Sequence, residues 1–480
     1  MLRKISFFVL VSVLGLIVVL MINTARFSSR QNTSVTADKL APVPVKTLEH
    51  FQQLIRFKTV SNGDSTLFDP GPFLQLHRYL QDTYPLFHLN LEREVIGKYT
   101  LLYHWKGNDT LLPPVLFIAH MDVVPVETAN LSSWKTDPFS GTIKDDAIWG
   151  RGAWDNKINM VSVLEATEKL LQQHKMPARP VYFLFSHDEE LAGKNGTRVA
   201  AELFRQRRIH PELVIDEGGF VTHEKVPGMN RPVALLGTAE KGYLSLRLEV
   251  QKDGGHSSMP EKETAIDVLS AALGKLRQHP FKSRLVPAQQ DFIRYIGPEL
   301  PFLKKMVFAN TWLFEKLIIR EYEKTATGSA VMHTTMVPTI LRAGIKDNIV
   351  PSSATALVNL RLLSGDSCRQ VTESVKKIIN DRRVKVSVVE QFEPSAVTPV
   401  NSPAFQKVEA AVRRTFPNTI VTPFLVIGAT DSHHFQQIAR HIIRFTPAID
   451  PQNFHGINER VSLRSFQTAL CFYEQLLLEV

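Results

Sequence analysis

Three apolar runs of strand length each end in a cluster of acids and histidines, and this repetition constrains the chain more than any other feature. Residues 115–119, VLFIA, lead into His120-Met121-Asp122. Residues 181–186, VYFLFS, lead into His187-Asp188-Glu189-Glu190, and residues 213–215, LVI, lead into Asp216-Glu217. Between the first two runs lies a helical stretch with Ile158, Val161, Leu164 and Glu168 on one face. Strands alternating with helices predict a largely parallel sheet. In an open α/β sheet, ligands bind beyond the carboxyl ends of the strands. Three segments therefore deliver ligand-type side chains to one sheet edge. GRGAWDNK adds Asp155 at the start of the following helix, and FHGINE near the C-terminus adds His455.

Gathering so many carboxylates costs many kcal/mol in desolvation and mutual repulsion unless cations are present. Only two cysteines occur, Cys368 and Cys471, so a thiolate zinc site is excluded and any metal rests on His, Asp and Glu. One bridge between these cysteines is open, but a disulfide scaffold is not. Nitrogen and oxygen donors suit Zn²⁺ or another borderline divalent ion. On a strand, His120 and Asp122 share a face, so His120 can bind metal while Asp122 orients it. Glu189 and Glu190 point apart; one can be a ligand and the other a general base. Two ions about 3.5–4 Å apart need a bridging carboxylate, for which Asp155 is the candidate.

The texture changes near residue 240. A strand-like Tyr243–Val250 run, a helix at about 262–278, strands around 331–345 and 353–362, and a helix at about 368–381 suit an antiparallel sheet with helices on one face. The fold expected is α/β: a catalytic domain with a mixed, largely parallel sheet (47–239 and 394–480) interrupted by a ferredoxin-like α+β lid or dimerisation domain (240–393). The stretch 280–330 is extra to that pattern, with apolar residues from Phe302 to Ile318 at roughly helical spacing. Arg3 and Lys4 precede an apolar run over 5–22, which fits a signal peptide or signal anchor, about 27 Å long as a helix. Residues 23–46 read as a linker. Sequons at Asn32, Asn108, Asn130 and Asn195 are compatible with a secretory address, either secreted or membrane-anchored with a lumenal catalytic domain. The net charge of +9 is scattered, without a basic run, which argues against nucleic acid as a partner.

The fragments HMDVVPV, WGRGAWDNK, DEE, DEGG, GGHSSMP, NIVP and FHGINE occur together in an order that resembles the aminoacylase/carboxypeptidase family of co-catalytic zinc metallopeptidases. The resemblance implies two divalent ions, zinc in the family, held by His120, Asp155 as the bridge, Glu190, Asp216 (with Glu217 as its rival) and His455. It implies Glu189 as general base and Asp122 as its supporting aspartate. In the inserted domain it implies an oxyanion-stabilising role for His256, often across a dimer interface, and substrate-holding roles for Asn348 and Arg361. The family's Gly-Gly-Thr-Asp appears here as Gly428-Ala429-Thr430-Asp431, followed by His433 and His434, which compete with His455 for a ligand role. The implied activity is reversible hydrolysis of N-acyl, especially N-fatty-acyl, amino acids, with a peptide-cutting carboxypeptidase of the secretory pathway or vacuole as the alternative. Partners would be the small-molecule substrates and a second copy of the chain, with membrane or lipoprotein association. The full ligand set argues against a binding protein on a dead scaffold.

Overall fold

The apolar runs become neighbours. In the computed structural model, which describes residues 2–32 and 35–480, strands Val115–His120, Val181–Ser186 and Leu213–Asp216 lie parallel in the middle of a nine-stranded sheet. Val115 stands opposite both Val181 and Leu213, so the three strands start level and finish at one edge. His441–Arg444 runs parallel beside Leu213–Asp216. The hairpin of Glu92–Ile96 and Thr100–Trp105 adds an antiparallel border on one side. On the other, Val233–Glu240 and Ile420–Val426 pair parallel with each other and run against the central strands. Helices Ile158–Gln172 and Leu463–Glu479 pack together over one face, burying Ile158, Val161, Leu164, Phe466, Phe472 and Leu476. Phe204, Phe435 and Ile438 cover the central strands on the other face.

The second sheet is antiparallel, in the order Thr335–Ala343, Ser353–Leu362, Gly242–Gln251, Val384–Phe392. Strand alternation puts Leu244, Leu246, Leu248 and Val250, and Ala354, Ala356, Val358, Leu360 and Leu362, on one face beneath helices Ala265–Gln278 and Cys368–Ile379. Two helices on one face of this strand order give the ferredoxin-like arrangement. Residues 331–332, expected to start a strand, instead finish the helix Ala326–Met332, and the strand begins at Thr335. The extra stretch forms helices Pro287–Ile296, Phe302–Ala309, Thr311–Tyr322 and Ala326–Met332. The first packs on the edge strand Ile420–Val426.

The N-terminal helix, Leu2–Arg26, contains a 23-residue stretch, Lys4–Arg26, long and apolar enough to cross a membrane. The segment after it is irregular but pinned. The Gln31 side chain donates to Val421 O (3.0 Å) and accepts from Val421 N (2.9 Å), occupying part of the exposed edge of Ile420–Val426. Cys368 and Cys471 are both free thiols. The Asn32 sequon extends into Thr33 and Ser34, outside the described residues; Asn108 and Asn195 are exposed.

Candidate metal centre

His120 ends its strand and Asp122 follows it into the loop. His120 Nδ1 donates to the Asp122 carbonyl oxygen at 2.9 Å, which fixes the tautomer and leaves Nε2 free to face the cleft. The Asp122 carboxylate accepts the backbone N–H of Glu189 and of Glu190, each at 3.2 Å, and the Ser61 hydroxyl. This one side chain thus takes the place of a sheet partner where strand Val181–Ser186 has ended. Glu189–Leu191 consequently forms a 3₁₀ turn rather than a strand. The turn sends Glu190 towards His455 and brings the Glu189 carboxylate within 4.8 Å of His120 and Glu217.

Asp155 lies in the irregular turn ahead of helix Ile158–Gln172, with non-helical φ and ψ of −117° and 88°. Its two oxygens face opposite ways: Oδ1 is 2.9 Å from His120 Nε2 and Oδ2 is 2.9 Å from His455 Nε2. Glu217 Oε1 stands 3.3 Å from His120 Nε2, and Glu190 Oε1 stands 3.3 Å from His455 Nε2. Two half-sites result, one of His120, Asp155 and Glu217, the other of His455, Asp155 and Glu190, with Asp155 common to both.

Asp216, expected as a ligand, is turned away. Its Oδ1 accepts Glu217 N (2.9 Å) and its Oδ2 accepts Ser432 N (2.7 Å), so both oxygens serve the backbone. Strand alternation gives Asp216 one face and the next side chain the other, and it is Glu217 that meets His120. His433 and His434 do not reach the cluster. His433 stacks on Phe392, its ring centroid 4.1 Å away, with Nδ1 2.7 Å from Thr430 O; His434 Nε2 is 3.0 Å from Ala192 O.

The electrostatics of the bare ring call for cations. Burial, Asp155's charge and Asp216's push Glu217 up to about 8. Burial and the neighbouring carboxylates likewise push Glu189 well up, and Glu190 up. The adjacent Asp155 and Glu190 carboxylates raise His455 to about 10. Burial works against charging Asp155 and His120, but their mutual contacts and those with His455 and Glu217 hold Asp155 low and His120 high. The Glu190 Oε1 oxygen is buried, and its 3.3 Å approach to His455 Nε2 lacks hydrogen-bond geometry. Each histidine Nε2 faces two carboxylate oxygens. Since His120 already donates through Nδ1, neutral His120 sets a lone pair against anions unless a cation lies between them. Nitrogen and oxygen donors, an orphaned carboxylate oxygen and a shared aspartate fit a pair of divalent ions.

The C-terminal segment reaches the site through a small sheet in which Arg460–Ser462 pairs antiparallel with Ala147–Trp149. Glu459, a residue that sequence reasoning missed, is fully buried there. Its Oε1 accepts Trp154 N (2.9 Å) and Asp155 N (3.2 Å), and its Oε2 accepts Arg151 Nη1 (2.6 Å). Burial pushes Glu459 up to about 6. Arg151 also donates to His455 O (3.3 Å), so this ion pair ties the loop of Asp155 to that of His455. The available signal was an acid inside FHGINE and a cation inside GRGAW, with no partner evident for either. Beside His455 opens a cleft of about 320 Å³, lined by Val124, Pro125, Trp134, Arg151, His455 and Ile457.

The inserted domain's residues stand apart from this ring. His256 and Asn348 lie together and exposed on the ribbon of Gly255–His256 and Ile349–Val350, with Ser257 N donating to Asn348 O at 3.1 Å. Neither forms a hydrogen bond or ion pair with the cluster among the described residues. Arg361 lies on strand Ser353–Leu362, its guanidinium 4.8 Å from the Tyr243 ring centroid. Its Nη1 is buried without a hydrogen-bond partner.

Comparison with known proteins agrees with this geometry. Residues 116–479 match the family model for peptidase family M20/M25/M40. The chain is 37% identical to a probable carboxypeptidase S-like protein of Dictyostelium discoideum, over 97% of this chain and 92% of that one. It is 34% identical to an N-fatty-acyl-amino acid synthase/hydrolase of Xenopus tropicalis, over 98% of this chain and 93% of that one. In fold it is similar to an M20 family metallo-carboxypeptidase from Sulfolobus solfataricus, with a TM-score of 0.69 at 19% identity, covering 91% of this chain and 99% of that one.

Proposed function

Because the chain belongs to peptidase family M20/M25/M40, we propose that the Asp155-centred ring is the two-metal centre of an amidohydrolase that hydrolyses and re-forms N-fatty-acyl amino acids. The observation carrying this reading is one aspartate set between two histidines, with Glu217 and Glu190 on either side. We assign the ligands as His120, Asp155 and Glu217 for one ion and His455, Asp155 and Glu190 for the other. Zinc suits this donor set. A divalent pair supplies Lewis acidity to the amide carbonyl and a water activated near neutral pH. Glu189 takes the proton of the attacking water and returns it to the leaving amine nitrogen. Asp122 is a positioning residue: through its carbonyl it aims His120, and through its carboxylate it holds the turn bearing Glu189 and Glu190. In the reverse direction Glu189 passes a proton from the incoming amine to the departing hydroxyl. Arg361, with a free N–H in a buried setting, suits the carboxylate of the amino-acid product. His256, too exposed to act where it stands, fits the site of a second subunit in a homodimer.

The acyl-amino-acid substrate follows the Xenopus relative's name; the second reading, a carboxypeptidase on peptides, follows the Dictyostelium relative's. Metal-loaded full-length protein, tested against fatty-acyl amino acids and matched dipeptides, separates them. We expect release of fatty acid, condensation when fatty acid and amino acid are in excess, and loss of both on chelation with recovery on adding Zn²⁺. Cleavage of dipeptides alone would transfer the assignment to the carboxypeptidase.

The choice of Glu217 over Asp216 makes a separate prediction. Glu217→Gln should lower bound metal from two ions towards one. Asp216→Asn should keep both ions but cost about 1–3 kcal/mol of stability, because it weakens the acceptors of the buried Ser432 N–H and the part-buried Glu217 N–H. Metal stoichiometry and thermal melts read these effects; the opposite pattern would restore Asp216 as ligand.

A further inference from the structure

The helices inserted at 302–322 bury little of their apolar surface. Helix Phe302–Ala309 contains no fully buried residue, and Thr311–Tyr322 buries only Ile318. Between them they leave Phe302, Leu303, Trp312, Leu313 and Leu317 in contact with solvent, Leu303 at 71% and Trp312 at 61% exposure. These residues lie in one short hairpin rather than scattered over the surface, which is the pattern of an interaction site. From Phe302 to Tyr322 the charged residues are Lys304, Lys305, Lys316 and Arg320 against the acids Glu315 and Glu321. Large apolar side chains with cations beside them suit an interface of acyl chains and anionic headgroups.

The N-terminal helix identifies the occupant. At about 1.5 Å per residue, the 23 residues Lys4–Arg26 reach about 34 Å, a little more than a bilayer's hydrocarbon core. This helix does not leave the protein through a free tether. Its C-terminal turns pack on Phe302–Ala309. Asn23 Nδ2 donates to Asn310 Oδ1 (2.8 Å), and Asn310 Nδ2 donates back to Leu20 O (3.3 Å). Thr24 is buried. Phe27 closes the junction by lying on Gly297, where a Cβ would come within 2.4 Å of the ring. Trp312 Nε1 donates to the same Asn310 oxygen (3.3 Å), so the exposed tryptophan sits where the helix emerges. That level, about one turn from Arg26, is where a spanning helix meets the headgroups and where tryptophan is favoured.

We propose that the hairpin Phe302–Tyr322 is a bilayer-seating surface, laid into the lipid interface beside the N-terminal helix, so that helix, hairpin and catalytic body rest on the membrane as one rigid unit. The Asn23–Asn310 pair and the Gln31 contacts to Val421 fix the body's orientation; the hairpin adds a second contact with lipid.

The tryptophans provide a direct test. Of the five, Trp105, Trp134, Trp149 and Trp154 are buried and only Trp312 is exposed. Full-length protein is reconstituted into phosphatidylcholine–phosphatidylglycerol vesicles with or without lipids brominated along their acyl chains. The expected result is that brominated lipid quenches an emission component that is absent in Trp312→Phe, and that aqueous acrylamide does not reach this component. If acrylamide quenches it and bromolipid does not, the hairpin faces water and the proposal fails. If neither quencher reaches it, a second copy of the chain covers the hairpin and the proposal also fails. A nitroxide on Leu303→Cys gives an independent reading in case Trp312→Phe does not fold: its relaxation should respond to oxygen dissolved in the lipid and not to a nickel chelate in water. The reverse response would overturn the proposal.

Discussion

Glu189→Gln should cut turnover by about 10²–10⁴-fold in both hydrolysis and synthesis, while bound metal stays near its wild-type level. The carboxylate lies within 4.8 Å of His120 and Glu217, yet among the described residues it accepts no hydrogen bond. Its backbone N–H is held by Asp122, so the side chain is aimed without being occupied. Gln matches Glu in size and leaves that anchor in place, but it cannot take a proton. The ligand set assigned to the ions does not include Glu189, which is why metal content should survive. Single-turnover rates in each direction, with metal measured on the same sample, make the comparison. A Gln variant with near-wild-type turnover would remove the general-base assignment, and one that loses metal would make Glu189 a ligand.

His256→Ala should lower kcat by about 10²–10³-fold with a much smaller change in KM, the effect typical of losing one oxyanion donor. The fold should survive, because His256 is exposed and, among the described residues, its ring hydrogen-bonds only with Ser258, with Nδ1 2.8 Å from the Ser258 hydroxyl. That same exposure makes a role within its own chain hard to support and a role in a partner's site testable. A mixed dimer of His256→Ala and Glu189→Gln chains would have one site lacking both groups and one lacking neither. Mixing the two nearly inactive proteins should then restore activity to up to about a quarter of wild type, given random exchange and two equivalent sites per symmetric dimer. Heterodimers that form and stay inactive would exclude action across the interface.

Much of the fold is legible because local patterns and tertiary outcome agree. Three short apolar runs flanked by helices became parallel neighbours, and the alternation in Tyr243–Val250 became a strand with one face under helices. Reading was less successful where a side chain's partner comes from far along the chain. The 3₁₀ turn at Glu189–Leu191 exists because Asp122, 67 residues earlier, accepts two of its N–H groups. Glu459 holds the loop of Asp155 from 304 residues away. The segment read as a linker has linker composition, yet Gln31 pairs with Val421.

What the sequence by itself determined was the kind of chemistry: histidines and carboxylates at strand ends, without thiolates, in an order specific to one family of metal-dependent hydrolases. The tertiary structure decided which of two adjacent acids faces the cleft. Asp216 and Glu217 both offer a carboxylate, on side chains one methylene apart, and the face each takes separates their roles. That face is set by the packing of strand Leu213–Asp216 between its neighbours and by the backbone N–H of Ser432, which claims Asp216. It likewise decided that Asp155 lies between two histidines, because the C-terminal strand Arg460–Ser462 pairs with Ala147–Trp149 and carries His455 to a loop some 300 residues earlier in the chain. Periodicity records what a residue's own segment prefers; it holds no record of which distant segment arrives opposite.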